Sequence, residues 1–287
     1  MSVNTNQIQE LRSKTGAGIL DCKKSLEESN FSIADAILWL RKKGLSSASK
    51  KAHRDSNEGV IATYTSDKNA TIIALSAETD FVGKNEKFLS LAHKIVRSAH
   101  DFEGSNVQDF LKFGMYESTP VAELIANHIA IIGENIVLKT ISKITVEKGK
   151  IISYLHNKLS YNIGKIGVLI ALEGEINNEI EGFGKNLAMH IAASNPVALN
   201  IESIDQNIVQ KERNLLMEQA LESGKQANVA DKIVEGRMKK FFEQSVLLEQ
   251  PFILDSKTKV KKALEGVRLK NKCDFSILSY VRLEIGK

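Results

Sequence analysis

The chain is poor in cysteine and proline, with 2 of the first and 3 of the second among 287 residues. Cys22 and Cys273 stand at opposite ends in no paired spacing, which argues against a disulfide framework or a zinc site. Aromatic residues are also sparse, at 6%. No apolar run approaches the roughly 20 residues needed to span a bilayer. The N-terminus Met1-Ser2-Val3-Asn4-Thr5-Asn6 has no basic stretch followed by an apolar one, so no secretory signal is expected and the protein reads as cytoplasmic. The usual catalytic signatures are missing too. His53, His93, His100, His128, His156 and His190 are scattered without an HExxH or CxxC companion, and read as packing or surface residues. Gly-Lys pairs at Gly83, Gly149, Gly164, Gly184 and Gly224 lack the GxxxxGK[ST] spacing of a phosphate cradle. There is no G-x-S-x-G elbow, and Asp80 has no acid/base twin. Bond-making catalysis has nothing to stand on, and no catalytic residue, cofactor or metal site is expected.

What is present is ordinary globular material, 43% hydrophobic and 26% charged, in a chain long enough for two or three domains. The formal charge of +4 balances 39 basic against 35 acidic residues. That small excess does not by itself argue for nucleic acid. The basic residues gather at Arg41-Lys42-Lys43, at Lys50 to Arg54, and from Lys257 to Lys272. These runs read as solvated faces; an RNA- or ribosome-binding protein using them is the alternative.

In chain order, residues 1–45 predict three short helices. Asn4 or Thr5 caps the first, Thr15-Gly16-Ala17-Gly18 breaks it, Ser32 caps the third, and Gly44 reads as the residue that ends it. Ile19 and Leu20 are adjacent, so one narrow face does not easily bury both; a contact surface and a core position are both open for them. Residues 46–57 predict a linker with scope for some helix. In 58–147, Glu58–Tyr64 and Ala70–Leu75 predict a hairpin, helices follow, and a strand starts at Ile136. The same order recurs after residue 148. Ile151–Leu155 and Ile166–Leu172 pair, a helix echoes Leu91-Ala92-His93-Lys94-Ile95 with Leu187-Ala188-Met189-His190-Ile191, and Phe275–Leu283 closes the set. This predicts an α+β fold built on a duplicated three-stranded antiparallel unit with helices on one face. The second copy divides into 148–204 and 243–287 around residues 205–242. There, two narrow apolar seams flank a break at Ser223-Gly224-Lys225, which predicts an antiparallel helical hairpin.

The stretch around which the rest is organised is Ala77-Glu78-Thr79-Asp80-Phe81-Val82-Gly83, a polar corner between a strand and a helix. Such a corner holds its residues rigidly, and a bulky ring beside a carboxylate there is unusual. By residue type alone, Phe81 would sooner plug its own core than face a partner.

Several segments together resemble a known family. Leu11 to Leu26, Thr79-Asp80-Phe81-Val82, Ile132-Gly133-Glu134-Asn135-Ile136, Tyr154-Leu155-His156 and Val234 to Phe241 are similar, in order, to the motifs of bacterial elongation factor Ts. The resemblance covers essentially the whole chain. It implies a ubiquitin-associated-like (UBA-like) N-terminal domain, a two-part core and a coiled-coil hairpin. It also implies guanine-nucleotide exchange on elongation factor Tu, bound in its GDP and nucleotide-free forms. On that resemblance Thr79, Asp80, Phe81 and Val82 would act near the partner's Mg²⁺. Arg12, Ile19, Leu20 and Lys23 would dock on its G domain, and His156 and Met189 would hold its third domain. No DNA or membrane partner is expected, and a homodimer is compatible with the sequence. Two departures from the family pattern stand out: Asn157 to Lys165 is longer than the usual turn, and the chain stops at Lys287 without the further helical module of some members.

Overall fold

The computed structural model describes residues 4–223 and 226–287. Helix α1 (Thr5–Thr15) starts where the Asn4 side chain accepts from the Asn6 amide, and it ends at Gly16 in the left-handed region. Helix α2 spans Ile19–Glu28 and α3 spans Ile33–Lys51, the latter capped by Ser32 accepting from the Asp35 amide. Leu11, Cys22, Leu26 and Ala36 form their shared core, joined by half-buried Ile8, Ile33 and Leu40. The third helix therefore runs past Gly44, through the first half of the stretch read as a linker.

The first sheet unit follows. Strands β1 (Glu58–Thr65) and β2 (Asn69–Ala77) form the expected hairpin, and β2 delivers the chain to the one-turn helix α4 (Asp80–Gly83). Then come α5 (Glu86–Asp101), α6 (Val107–Phe113), a two-residue hairpin of β3 (Met115–Tyr116) and β4 (Thr119–Pro120), α7 (Val121–Ile132), and β5 (Ile136–Thr145). Gly44 is explained by α7. A Cβ at that position would lie 3.0 Å from Asn127 Oδ1. The glycine thus lets α3 lie close against α7 and does not end α3, a distinction invisible from spacing alone.

In the second unit, β6 (Gly149–His156), β7 (Ile163–Gly164) and β8 (Ile166–Gly174) lead into α8 (Asn178–Ser194). Helices α9 (Gln206–Glu222) and α10 (Ala227–Ser245) come next. They pack side by side through Leu216, Ala220, Ala230, Val234 and Met238, a cluster separate from the sheet cores. The expected break at Ser223-Gly224-Lys225 lies, from Gly224, outside the described residues. A short hairpin, β9 (Pro251–Phe252) with β10 (Asp255–Lys259), precedes α11 (Val260–Asn271) and the last strand, β11 (Phe275–Glu284).

The strand orders are β5-β2-β1-β7 and β11-β8-β6. The first three strands of one sheet match the three of the other in order and direction, and the agreement extends to detail. Gly59 faces Ser76, Gly149 faces Glu173, and both glycines have large positive φ, at 134° and 144°. A Cβ on either would collide with a carbonyl oxygen of the facing strand, Leu75 or Leu172. The third strand of each sheet also carries one bulged residue opposite an Ala-Leu pair: Lys139 against Ala74-Leu75, and Leu278 against Ala171-Leu172.

Helices α5, α6 and α7 cover one face of the first sheet, with Phe88, Leu91, Ile95 and Phe110 buried against Ile73 and Leu75. Helices α8 and α11 cover the second sheet through Phe183, Leu187, Ile191 and Leu264. The inner faces meet through Ile61, Ile72 and Ala74 on one side and Leu155, Leu169 and Ala171 on the other. Helix, sheet, sheet, helix is thus the layer order.

One expectation is corrected here. The first sheet has four strands, not three, because the long segment after His156 adds β7 to the edge of β1, pairing Ile61 with Gly164 and Ala62 with Ile163. The Thr63 amide donates to the Asn162 carbonyl at 2.9 Å, and Lys165 Nζ reaches Glu58 at 3.0 Å. The segment ties the second unit to the first.

Candidate partner-binding site

Strand β2 is buried along nearly its whole length, so its end is fixed before the corner begins. Two carboxylates hold the corner itself. Glu134 Oε2 accepts from the Thr79 amide at 3.0 Å, and its Oε1 accepts from the Thr79 hydroxyl at 2.7 Å. Glu78 Oε1 accepts from the Asn135 amide at 2.6 Å and lies 3.3 Å from Arg54 Nη1. The Asn135 side chain, 3% exposed, donates to the Arg54 carbonyl at 2.9 Å. Three segments distant in sequence meet here: the end of the α3 connection, the corner, and the turn at Gly133 that ends α7. Hydrogen bonds to a charged group are worth about 1.5–3 kcal/mol each, so the corner is held firmly.

Beyond the clamp, Val82 turns inward and is buried against the first core, while Phe81 is 80% exposed. The core-plug expectation for this ring is therefore overturned. The reason lies in α4, whose single turn buries Val82 and Gly83 and leaves Phe81 on its outer side. Asp80 is half exposed and pairs with Lys84 at 3.2 Å. The arrangement has the form of a display: an apolar ring and a carboxylate on a short, braced turn. Among the described residues, no group of three or more His, Cys, Asp or Glu could hold a metal ion.

A family model described as "Elongation factor TS" matches residues 78–287, beginning within this corner. The chain is also 38% identical over 288 residues to the elongation factor Ts of Bartonella henselae, covering 100% of this chain and 94% of that protein. Against the elongation factor Ts of Ehrlichia ruminantium (strain Gardel) it is 38% identical over 288 residues, with 100% of both chains covered.

The chain belongs to the elongation factor Ts family.

It is thus a member of a family of translation elongation factors, and the remaining residues implied by the resemblance can be placed on its structure. Ile19 and Leu20, which open α2, are 55% and 81% exposed, so both stand outside the helical core. Arg12 and Lys23 are exposed on α1 and α2. The α1–α2 corner lies near the display: Lys87 in the first turn of α5 donates to the Gly16 carbonyl at 3.4 Å. His156 is exposed at the end of β6, its Nδ1 3.2 Å from Tyr154 Oη. Met189 is half-buried on α8, so these two occupy different elements of the second unit.

His190, beside Met189, has a structural role. Its Nδ1 accepts from the Ile253 amide at 3.3 Å, which leaves Nε2 as the donor to Gln250 Oε1 at 2.9 Å. Burial lowers its pKa from the ordinary value. Some members of the basic runs are ion-paired. Lys43 meets Asp21 at 2.5 Å, Arg41 meets Glu123 at 2.8 Å, Lys259 meets Glu249 at 2.8 Å and Lys270 meets Glu179 at 2.6 Å.

Residue-by-residue reading had missed Glu78, Glu134 and Arg54. The available signal was two acids placed beside special backbone, one before the corner and one after the α7-ending Gly133, whose φ is 90°.

Proposed function

We propose that this protein is a guanine-nucleotide exchange factor for elongation factor Tu, working by insertion of Phe81 and Asp80 into the partner's G domain near Mg²⁺ without bond-making chemistry of its own. The observation that carries this reading is the 80% exposed Phe81 on a turn held through Thr79 by Glu134, next to a strand end braced by Glu78. A ring left in water at such an anchored position gains apolar burial only when another protein receives it. Thr79 and Val82 set the turn. Asp80, next to the ring, perturbs the surroundings of the partner's cation electrostatically.

The thermodynamics require no reaction. A protein that binds nucleotide-free partner better than GDP-bound partner weakens GDP binding by the same factor. Exposed Ile19 and Leu20, with Arg12 and Lys23, form a second contact on the G domain. His156 and Met189 serve a third contact through the second unit. In this reading residues 1–45 are a UBA-like module and 46–57 its connection. Residues 58–147 and 148–204 with 243–287 are the two halves of the core, and 205–242 is a coiled-coil hairpin. The protein acts in the cytoplasm, with no DNA or membrane partner, and self-association is compatible with it.

The test is to add the whole protein to elongation factor Tu loaded with fluorescent GDP. Release is expected to accelerate by at least about tenfold, and excess GDP is expected to dissolve the two-protein complex on gel filtration. No acceleration, or a complex indifferent to GDP, would contradict the proposal.

A further inference from the structure

Thr79 occupies the N-cap position of α4, with extended backbone at φ −125° and ψ 157°, yet its side chain caps nothing. A threonine there ordinarily uses its oxygen to accept from an amide of the first turn. The hydroxyl donates to Glu134 Oε1 at 2.7 Å, and the amide donates to Oε2 at 3.0 Å. One carboxylate thereby takes both of Thr79's donors, from a position 55 residues away in sequence. With no local side-chain cap on α4, the residue two before Phe81 is held by this long-range pair of bonds.

From this geometry we infer that Glu134 is a positioning residue for the exchange reaction: it orders the turn that presents Phe81, without itself touching the partner's nucleotide site. The inference rests on the exchange-factor reading above. A one-turn helix does not hold its shape alone, because the first turn fixes several dihedrals for a single hydrogen bond. With the clamp, the ordering is complete before the partner arrives, so binding need not supply it. Glu78 performs a parallel task one residue earlier, but its bonds run to Asn135 and Arg54 and brace the strand end, not the turn. Without Glu134 the ring would still be present and exposed, and the docking surfaces at Ile19 and Leu20 would be intact. What is lost is the fraction of molecules in which the ring points correctly.

The experiment compares wild type, Glu134→Gln, Thr79→Val and Thr79→Ser as whole proteins. It measures the maximal rate and half-saturating concentration of stimulated GDP release, the thermal midpoint, and the exchange of the Thr79–Val82 amide hydrogens. Glu134→Gln and Thr79→Val should each lower the maximal rate by about tenfold, with the half-saturating concentration little changed, as expected for lost order at the acting group alone. Amide protection at Thr79 should fall in Glu134→Gln while the thermal midpoint stays within a few degrees. Thr79→Ser, which keeps both donors, should recover most of the rate and protection that Thr79→Val loses. A Glu134→Gln protein with wild-type maximal rate and wild-type protection overturns the inference. So does a rate loss matched by loss of folded protein. Failure of the exchange reading itself appears differently, as a wild-type protein that does not stimulate release at all, while the amide measurements still report on the clamp.

Discussion

The two sheet units carry the same local device to opposite ends. Each has a strand with Ile-Ala-Leu two residues before its end (Ile73–Leu75, Ile170–Leu172), a partner glycine with positive φ, and a bulge opposite. Past that point they part. In the second unit the chain passes Glu175 and Ile176, the latter half-buried against its core, and Asn177 caps α8 by accepting from the Ile180 amide. In the first, an extra turn, α4, stands between the strand and the helix that matches α8. Thr79 leaves it without a side-chain cap, Glu134 clamps it from afar, and an aromatic is left outside. Only then does Asn85 cap α5, by accepting from the Lys87 amide. The comparison teaches that the scaffold does not dictate the display. One corner runs straight into its capped helix, and the other first presents a ring on an added turn.

The sharpest way to break the comparison is at the shared glycines. Gly59→Ala and Gly149→Ala should each cost about 3 kcal/mol or more in chemical denaturation, since both force strained backbone and a clash with a carbonyl. If one were tolerated, the two units would not be held by the same geometry. Next, Ile176→Ala should cost roughly 1–2 kcal/mol, a partly buried truncation. Asn177→Ala should cost about 1 kcal/mol through loss of its cap. Neither should alter exchange stimulation once folded protein is matched, which a fluorescent-GDP release assay would check.

The smallest effect is with pH. His93, His100 and His128 in the first unit and His190 in the second all have pKa values lowered by burial. The unfolded chain therefore binds more protons below the ordinary imidazole value of 6.5. Stability is complete above that value and falls as pH drops below it. Urea midpoints at pH 7.5 and 5 should show the loss, and His190→Gln should reduce it, because protonation there also removes the acceptor for the Ile253 amide.

Much of this was legible in the sequence because it is local. Asn4 and Ser32 cap the helices they were expected to cap, and both hairpins lie where apolar runs meet turn residues. The misreadings share one cause. Gly44 looks like a helix stop until a second helix is found against it, and Ile163-Gly164 looks like loop until β1 supplies its partner. Phe81 looks like core material until Val82 is seen to take the inward position. Glu134 is a plain surface acid until Thr79, far off in sequence, brings it two donors. Each depends on a neighbour that spacing does not reveal.

The central claim is that the exposed ring of Phe81 acts on another protein and contributes nothing to its own fold. Stopped-flow release of fluorescent GDP from elongation factor Tu, driven by the Phe81→Ala protein, tests it most directly. The account predicts a loss of roughly a hundredfold in stimulation, typical of an interface anchor, with an unchanged thermal midpoint. Wild-type stimulation by that variant, or a lost activity explained by a lowered midpoint, would contradict it.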